Sequence, residues 1–118
     1  MRIQFEADRH TVDGILTVRL DGALEIAGAE QLWAQASERV GPEERFFLFD
    51  FSGVTIITSA GIGSLVRLLV RLQKFGGSLA IFGCSDKICD VFDIVLLKQI
   101  LQVCDSEREA RSLLTVSR

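Results

Sequence analysis

The segment Phe46-Phe47-Leu48-Phe49 restricts the fold of this chain more than any other. Its large apolar side chains stand between Arg45 and Asp50 with no polar residue among them. An apolar run this short, bounded by charge at both ends, suits a strand covered on both faces. Ser78-Leu79-Ala80-Ile81-Phe82 reads as a second short buried strand. Between the two, residues 59–75 carry Ile62, Leu65, Val66, Leu69 and Leu72 at helical spacing, which makes them a core stripe. Arg67, Arg71 and Lys74 fall on the opposite side, a solvated face that is also open to an acidic partner surface. Gly76-Gly77 supplies the stop. Strand, long helix and strand in this order imply parallel pairing with right-handed crossovers.

The flanks extend the pattern. Ile3-Gln4-Phe5-Glu6 alternates as a strand does, and Asp13-Gly14 ahead of Ile15-Leu16-Thr17-Val18-Arg19-Leu20 is a hairpin signal. Leu16, Val18 and Leu20 share one face of that strand, which Asp21-Gly22 closes. Residues 27–40 read as a helix with Leu32, Trp33 and Ala36 buried and Gly41-Pro42 as its end. Asp50-Phe51-Ser52-Gly53 ends the Phe-rich strand. Ser85 caps a helix carrying Ile88, Val91 and Phe92, and Ile94-Val95-Leu96-Leu97 reads as core, with a homodimer through this run left open. Residues 99–103 read as a last short strand. Ser106 and Glu109 have capping-box spacing for a final helix that buries Ala110, Leu113 and Leu114. The expected order is β-β-α-β-α-β-α-β-α. This is an α/β fold with a mixed, mostly parallel sheet, an N-terminal β-hairpin and four helices, in one domain over residues 1–118. Sites in such folds lie beyond the carboxyl ends of the strands, and the loop of residues 50–59 is one such end.

Composition narrows the function classes. At 48% apolar and 25% charged residues the chain is a folded domain and not a disordered one. The net charge of −3, with no basic stripe or tail, argues against nucleic acid as a partner. No signal peptide opens the chain and no apolar run is long enough to span a bilayer, so a cytoplasmic protein without membrane insertion is expected. Cys84, Cys89 and Cys104 form no Cys-x-x-Cys pair and His10 is the sole histidine, too small a ligand set for a metal site. They are expected to be reduced and largely buried. Ser59, His10 and an aspartate do not form the Gly-x-Ser-x-Gly elbow of a hydrolase, and Asp50 is a turn-tying residue before it is a catalytic one. Gly61-x-Gly63 has Val66 where a dinucleotide fingerprint needs its third glycine, and no Walker motif occurs, so no cofactor is expected.

The segment Asp50-Phe51-Ser52-Gly53-Val54-Thr55-Ile56-Ile57-Thr58-Ser59-Ala60-Gly61-Ile62-Gly63 resembles the signature of the STAS family. In that family a buried strand ends in an acidic-apolar-Ser/Thr-x-Val segment, and a Ser-x-Gly-Leu turn opens the next helix. Leu20-Asp21-Gly22-Ala23-Leu24-Glu25 resembles the family's Gly-x-Leu-Asp turn. Gly76-Gly77-Ser78-Leu79 and Val91-Phe92-Asp93 resemble two later elements, so the likeness covers roughly residues 3 to 115. The resemblance implies an anti-sigma factor antagonist and not an enzyme. Such an antagonist binds an anti-sigma factor, a GHKL-type serine kinase that phosphorylates the serine at the position of Ser59, and a serine phosphatase resets it. The implied contact surface comprises Glu25, Thr55, Thr58, Ala60, Gly61, Ser64 and Arg67 around Ser59. Thr58 stands where the antagonists carry Asp, Glu25 where an Asp is usual, and Leu96 where a Gly usually follows the third helix. A phosphorylation-independent STAS scaffold, or an accessory subunit of a lipid-transporting ABC system, is the alternative.

The residues give Ser59 a physical logic of their own. It stands at an expected helix start behind Thr58 as N-cap, where backbone N–H groups are unpaired and the dipole is positive. A phosphate is tolerated there and adds about 1.5 to 2 negative charges where a partner docks. Gly61 and Gly63 are expected to keep the helix start unobstructed for a kinase.

Overall fold

The computed structural model describes residues 1–7, 14–94 and 96–116. Asp13 of the expected hairpin turn, His10 and Val95 lie outside the described residues. The elements are β1 (Arg2–Ala7), β2 (Ile15–Leu24), α1 (Ile26–Ser37), β3 (Phe46–Ile57), α2 (Ser59–Gln73), β4 (Ser78–Phe82), α3 (Asp86–Ile94), α4 (Leu97–Ile100) and α5 (Glu107–Val116). One sheet has the order β1-β2-β3-β4. β1 runs antiparallel to β2, and β2, β3 and β4 are mutually parallel.

β3 is covered on both faces, as its apolar run requires. Phe47, Phe49 and Phe51 point into the larger core with Leu32 and Ala36 of α1, Leu65, Leu68 and Leu72 of α2, and Phe92 of α3. Phe46 and Leu48 point to the other face, where Ala110 and Leu114 of α5 cover them together with Ile15, Ala80 and Cys104. Each fully buried Phe, Leu and Ile among them contributes roughly 1.5–3 kcal/mol of burial free energy. The rings of Phe47, Phe49, Phe51 and Phe92 follow one another with centroids 6.2, 6.4 and 6.2 Å apart, within the range of favourable aromatic pairs. The caps stand where expected: Ser85 Oγ accepts from the Ile88 N–H at 3.3 Å and Ser106 Oγ from the Glu109 N–H at 3.1 Å.

Five corrections follow from tertiary contacts. First, β3 does not stop at residues 50–53, nor β2 at Asp21-Gly22. Both continue, pairing Asp21 with Gly53, Gly22 with Val54, Ala23 with Ile56 and Leu24 with Ile57 across two register shifts. Gly53 allows this, because a Cβ there would strike the Asp21 carboxylate. Asp50 ties no loop; it accepts the Ser52 N–H at 2.9 Å and hydroxyl at 2.7 Å within the strand. Second, residues 99–103 form no strand. The short helix α4 takes up residues 99 and 100, giving five helices among the described residues, and only Val103 bridges to Ile81. Gln102, at φ 53°, turns the chain, and its side-chain amide donates to Leu79 O at 2.7 Å and Ser78 Oγ at 2.9 Å, satisfying the β4 edge from a side chain. Third, Leu96 is not core: it is 72% exposed in the left-handed region at φ 59°, where the family's usual glycine would sit without strain. Fourth, the α2 stripe centres on fully buried Leu68, while Ile62 and Val66 are half-buried, and on α5 Leu113 is exposed. Fifth, α1 ends at Ser37, ahead of Gly41, and a two-point Arg39–Glu44 ion pair at 3.0 and 3.2 Å closes the link beyond it.

Candidate functional site

β2 and β3 end side by side at Leu24 and Ile57, and each is followed at once by a helix. Glu25 and Thr58 are the two N-cap residues, both with extended backbone and neither capping through its side chain. Thr58 bonds across the strand ends: its N–H donates to Leu24 O at 3.2 Å, and its hydroxyl reaches the same carbonyl at 3.4 Å. That bond turns the hydroxyl away from the first turn of α2, so Thr58 holds the N-cap position without the expected capping bond. α1 and α2 thus start together from adjacent parallel strands, the position at which such sheets place their sites.

Glycines seat both helices on the strand ends. A Cβ at Gly61 would lie 2.5 Å from Leu24 O, and one at Gly28 2.7 Å from Ala23 O. Gly61 therefore serves close packing and not access for a kinase; Gly63, with nothing within 4 Å, is the open one. Ser64 is buried as well, and its hydroxyl donates to Gly61 O at 2.7 Å inside the helix.

Of the residues singled out in the sequence, the structure brings Glu25, Thr58, Ser59 and Ala60 to one depression of about 560 Å³, with Ile26 and Ala27 completing its wall. Ser59 is exposed as the first residue of α2, and its side chain has no hydrogen-bond partner among the described residues. Thr55 is exposed on the last turns of β3. Gly61 and Ser64 lie beneath this surface and shape it from below. Arg67 lies further along α2 in a neighbouring groove of about 340 Å³, which also takes in Ile26, Glu30, Trp33 and Gly63. Its guanidinium stacks 3.9 Å from the Trp33 ring centroid, and Arg71 Nε donates to Ser37 O at 3.0 Å. The basic side of α2 therefore faces the α1 seam and is not a freely solvated face.

Ile26 and Val70, 69% and 50% exposed, were not among the residues singled out. Their signal was present in the spacing: Ile26 and Trp33 are seven apart, and Gly63, Arg67, Val70 and Lys74 recur at four, three and four, one stripe on each helix.

Two of the thiols are held in the protonated form. Burial, and then the neighbouring Cys89, pushes Cys84 up to about 12. Burial, then Glu109 and Asp105, raises Cys104. No group of metal-ligating side chains occurs among the described residues, and no helix there is long and apolar enough to cross a membrane. The depression offers the exposed Ser59 hydroxyl on a shaped surface.

Known proteins share this fold. The family model of the STAS domain matches residues 6–110. A Bordetella bronchiseptica protein named as an anti-sigma factor antagonist, BtrV, is 29% identical over 99 residues, covering 84% of this chain and 85% of its own. A Thermotoga maritima structure described as an anti-sigma factor antagonist superposes with a TM-score of 0.81 at 19% identity, over 95% of this chain and 93% of that one. A sulfate transporter family protein from Wolinella succinogenes has the same fold, with a TM-score of 0.73 at 17% identity over 88% and 87% of the two chains. With its signature segment at the β3–α2 junction and a family match over most of its length, the chain belongs to the STAS domain family.

Proposed function

We propose that this chain is an anti-sigma factor antagonist, a single STAS domain that binds an anti-sigma factor kinase and is released when Ser59 is phosphorylated. The observation that carries the reading is the setting of Ser59. It is exposed, without a side-chain partner among the described residues, and stands at the first position of α2 in a depression shared with Glu25. The name of the Bordetella relative supports the general role. In this reading the surface of Thr55, Thr58, Ser59, Ala60, Glu25 and Arg67 receives the kinase, with Gly61 and Ser64 as its seat. ATP is bound by the partner, this chain catalyses nothing, and a serine phosphatase restores the hydroxyl. The protein works in the cytoplasm.

Phosphorylation then acts on binding more than on the fold. A phosphate at Ser59 would meet the positive end of α2, an interaction of about 0.3–1 kcal/mol at an exposed site. It would also place about 1.5 to 2 negative charges beside Glu25. The bound kinase would have to bury that doubled negative patch, whereas the free chain leaves it in water. Ser59→Asp should therefore bind the kinase at least about tenfold more weakly, a difference of 1.4 kcal/mol, while Ser59→Ala binds constitutively. Peptide mass spectrometry of the protein from its own cells, with Ser59→Ala as control, tests the reading. A phosphate on Ser59 that vanishes in the variant supports it. Its absence across growth and stress conditions refutes it and favours the phosphorylation-independent scaffold or transport-subunit reading. Thr58 in place of Asp and the exposed Leu96 and Ile100, a surface for a second copy, speak for that alternative.

A further inference from the structure

β1 is an outer strand of the sheet, paired with β2 on one side only. Among the described residues no backbone hydrogen bond reaches residues 2–7 from the other side. The opposite margin of the sheet is closed differently. There Ile81 of β4 donates to Gln102 O and accepts from the Cys104 N–H, and the Gln102 side-chain amide donates to Leu79 O. An unclosed strand edge carries a row of unpaired N–H and C=O groups, and proteins commonly shorten, charge or cover such edges. β1 carries two charges, Arg2 and Glu6. Their placement decides whether they block pairing or direct it.

The strand is complementary to itself about Gln4. Laid antiparallel against a copy, with Gln4 opposite Gln4, it sets Ile3 opposite Phe5 and Arg2 opposite Glu6. Residues directly opposite in an antiparallel pair share one face of the sheet. Arg2, Gln4 and Glu6 are exposed on one face of β1, while Ile3 and Phe5 are half-buried on the other, against the larger core. This register therefore sets apolar against apolar on the inner face and forms two symmetric Arg2–Glu6 pairs on the outer one. None of the Arg2, Gln4 and Glu6 side chains has a hydrogen bond or ion pair among the described residues, so each is free to engage. Other registers lose the match. Centred on Ile3, the strand sets Arg2 opposite Gln4. Centred on Phe5, it sets Glu6 opposite Gln4 and leaves Arg2 with no partner in the strand. Parallel pairing in register sets Arg2 beside Arg2 and Glu6 beside Glu6, which repel.

We infer that the outer edge of β1 is a homodimer contact, paired antiparallel with β1 of a second copy about a two-fold axis at Gln4. The contact joins two four-stranded sheets into one of eight strands. β2 and β3 of one copy then run opposite to those of the other, so the two Ser59 depressions point to opposite ends of the sheet and each stays open to its own partner. The contact is separate from the surface of Leu96 and Ile100 and does not depend on the Ser59 reading. A ladder from Arg2 to Glu6 spans about 17 Å. A contact this short belongs with the weak interfaces that bury less than about 1,200 Å², so a dimer that dissociates on dilution is expected.

Sedimentation velocity of the full chain over a concentration series, with Arg2→Glu, Glu6→Arg and the double exchange of both, tests the contact. Both positions are exposed, and a thermal melt of each variant checks folding. The expected result is a reversible monomer–dimer equilibrium for the wild type. Each single variant turns two opposite-charge pairs into like-charge pairs and should raise the dimer Kd about tenfold, and the double exchange should restore most of that loss. Gln4→Cys gives a second readout, because residues directly opposite lie within disulfide reach. Diamide should link it into a covalent dimer that the wild type, with Cys84, Cys89 and Cys104, does not form. A chain that stays monomeric at every concentration, with no cross-link beyond that of the wild type, overturns the inference. A dimer of equal strength in the wild type and all three charge variants also overturns it, and assigns self-association to another surface. A dimer weakened by both single variants and not restored by the double exchange overturns the register about Gln4.

Discussion

Gly61 and Gly63 stand two residues apart in α2, yet the structure assigns opposite signs to the same substitution. At Gly61 a Cβ would lie 2.5 Å from Leu24 O and 2.8 Å from Leu24 Cγ, about 0.9 Å short of the 3.4 Å at which ordinary contact begins. Leu24 O cannot yield, because it accepts the Thr58 N–H at 3.2 Å and belongs to the end of β2. The start of α2 must therefore lift from the strand ends, weakening that bond and loosening Ile57 and Leu24. Overpacking of this kind costs about 1–3 kcal/mol, and occasionally more. Alanine returns about 0.8–1 kcal/mol through helix propensity. With a backbone oxygen as the obstacle the overpacking cost falls in the upper half of that range, and a net loss of about 1–2 kcal/mol is expected for Gly61→Ala. At Gly63 the new methyl meets nothing within 4 Å, so only the propensity term remains, and Gly63→Ala should gain about 0.5–1 kcal/mol. Urea unfolding followed by circular dichroism reads both, and the expected ordering is Gly63→Ala, wild type, Gly61→Ala. A Gly61→Ala variant as stable as wild type would refute the seating of α2 on Leu24, and with it the geometry that presents Ser59.

Three further substitutions read other parts of the fold. Leu96→Gly should stabilise by about 0.5–1 kcal/mol, because a left-handed leucine costs about 1–2 kcal/mol and glycine returns part of that as unfolded-state entropy; a lower urea midpoint would show that the Leu96 side chain is anchored. Gln102→Ala removes both side-chain bonds to the β4 edge and should cost about 1–2 kcal/mol, with faster amide exchange at Ile81 as the local readout and unchanged exchange as the refuting result. For Cys84 the folded thiol titrates at about 12, against 9.0 for a free one, so the folded state holds its proton longer than the unfolded state. Stability from this group is complete below pH 9 and falls as pH rises from there toward 12. Wild type should therefore lose more stability than Cys84→Ala over that interval, and parallel curves would refute the assignment.

The sequence was most readable where a residue's environment is set by its own element. The Phe46–Phe49 strand, the α2 helix and the caps at Ser85 and Ser106 need only local pattern and burial, and each stands where the pattern placed it. It was least readable where one side chain answers to a distant one. The continuation of β2 and β3 depends on Asp21 lying where Gly53 has no Cβ, a contact that neither segment announces. Residues 99–103 have strand-like apolar content, but helix α4 and the left-handed turn at Gln102 cut the ladder to two backbone bonds around Ile81, with the Gln102 side chain bonding β4 beside them. The site shows the same division. Ser59 and Glu25 were legible from the motif, whereas the role of Arg67 depends on where α1 places Trp33, and Gly61 exchanges an expected role in access for one in packing.

That division has a functional consequence. The residues that seat the site, Leu24, Gly61 and Ser64, are buried and engage backbone atoms of the strand ends or the helix itself. The residues that face outward, Glu25, Ser59 and Arg67, make no bond on which the core depends. Changes to the first group should move the unfolding midpoint and weaken binding only in proportion to lost fold. Changes to the second should alter binding at constant midpoint. A switch that operates by adding charge needs this separation, because the free energy that ejects the partner must not be drawn from a stability that totals only about 5–15 kcal/mol in a domain of this kind. In the proposed reading, Ser59 at the first position of a helix anchored two residues later by Gly61 meets that requirement: a phosphate would arrive on a rigid mount, and the mount would not have to move for a partner to leave.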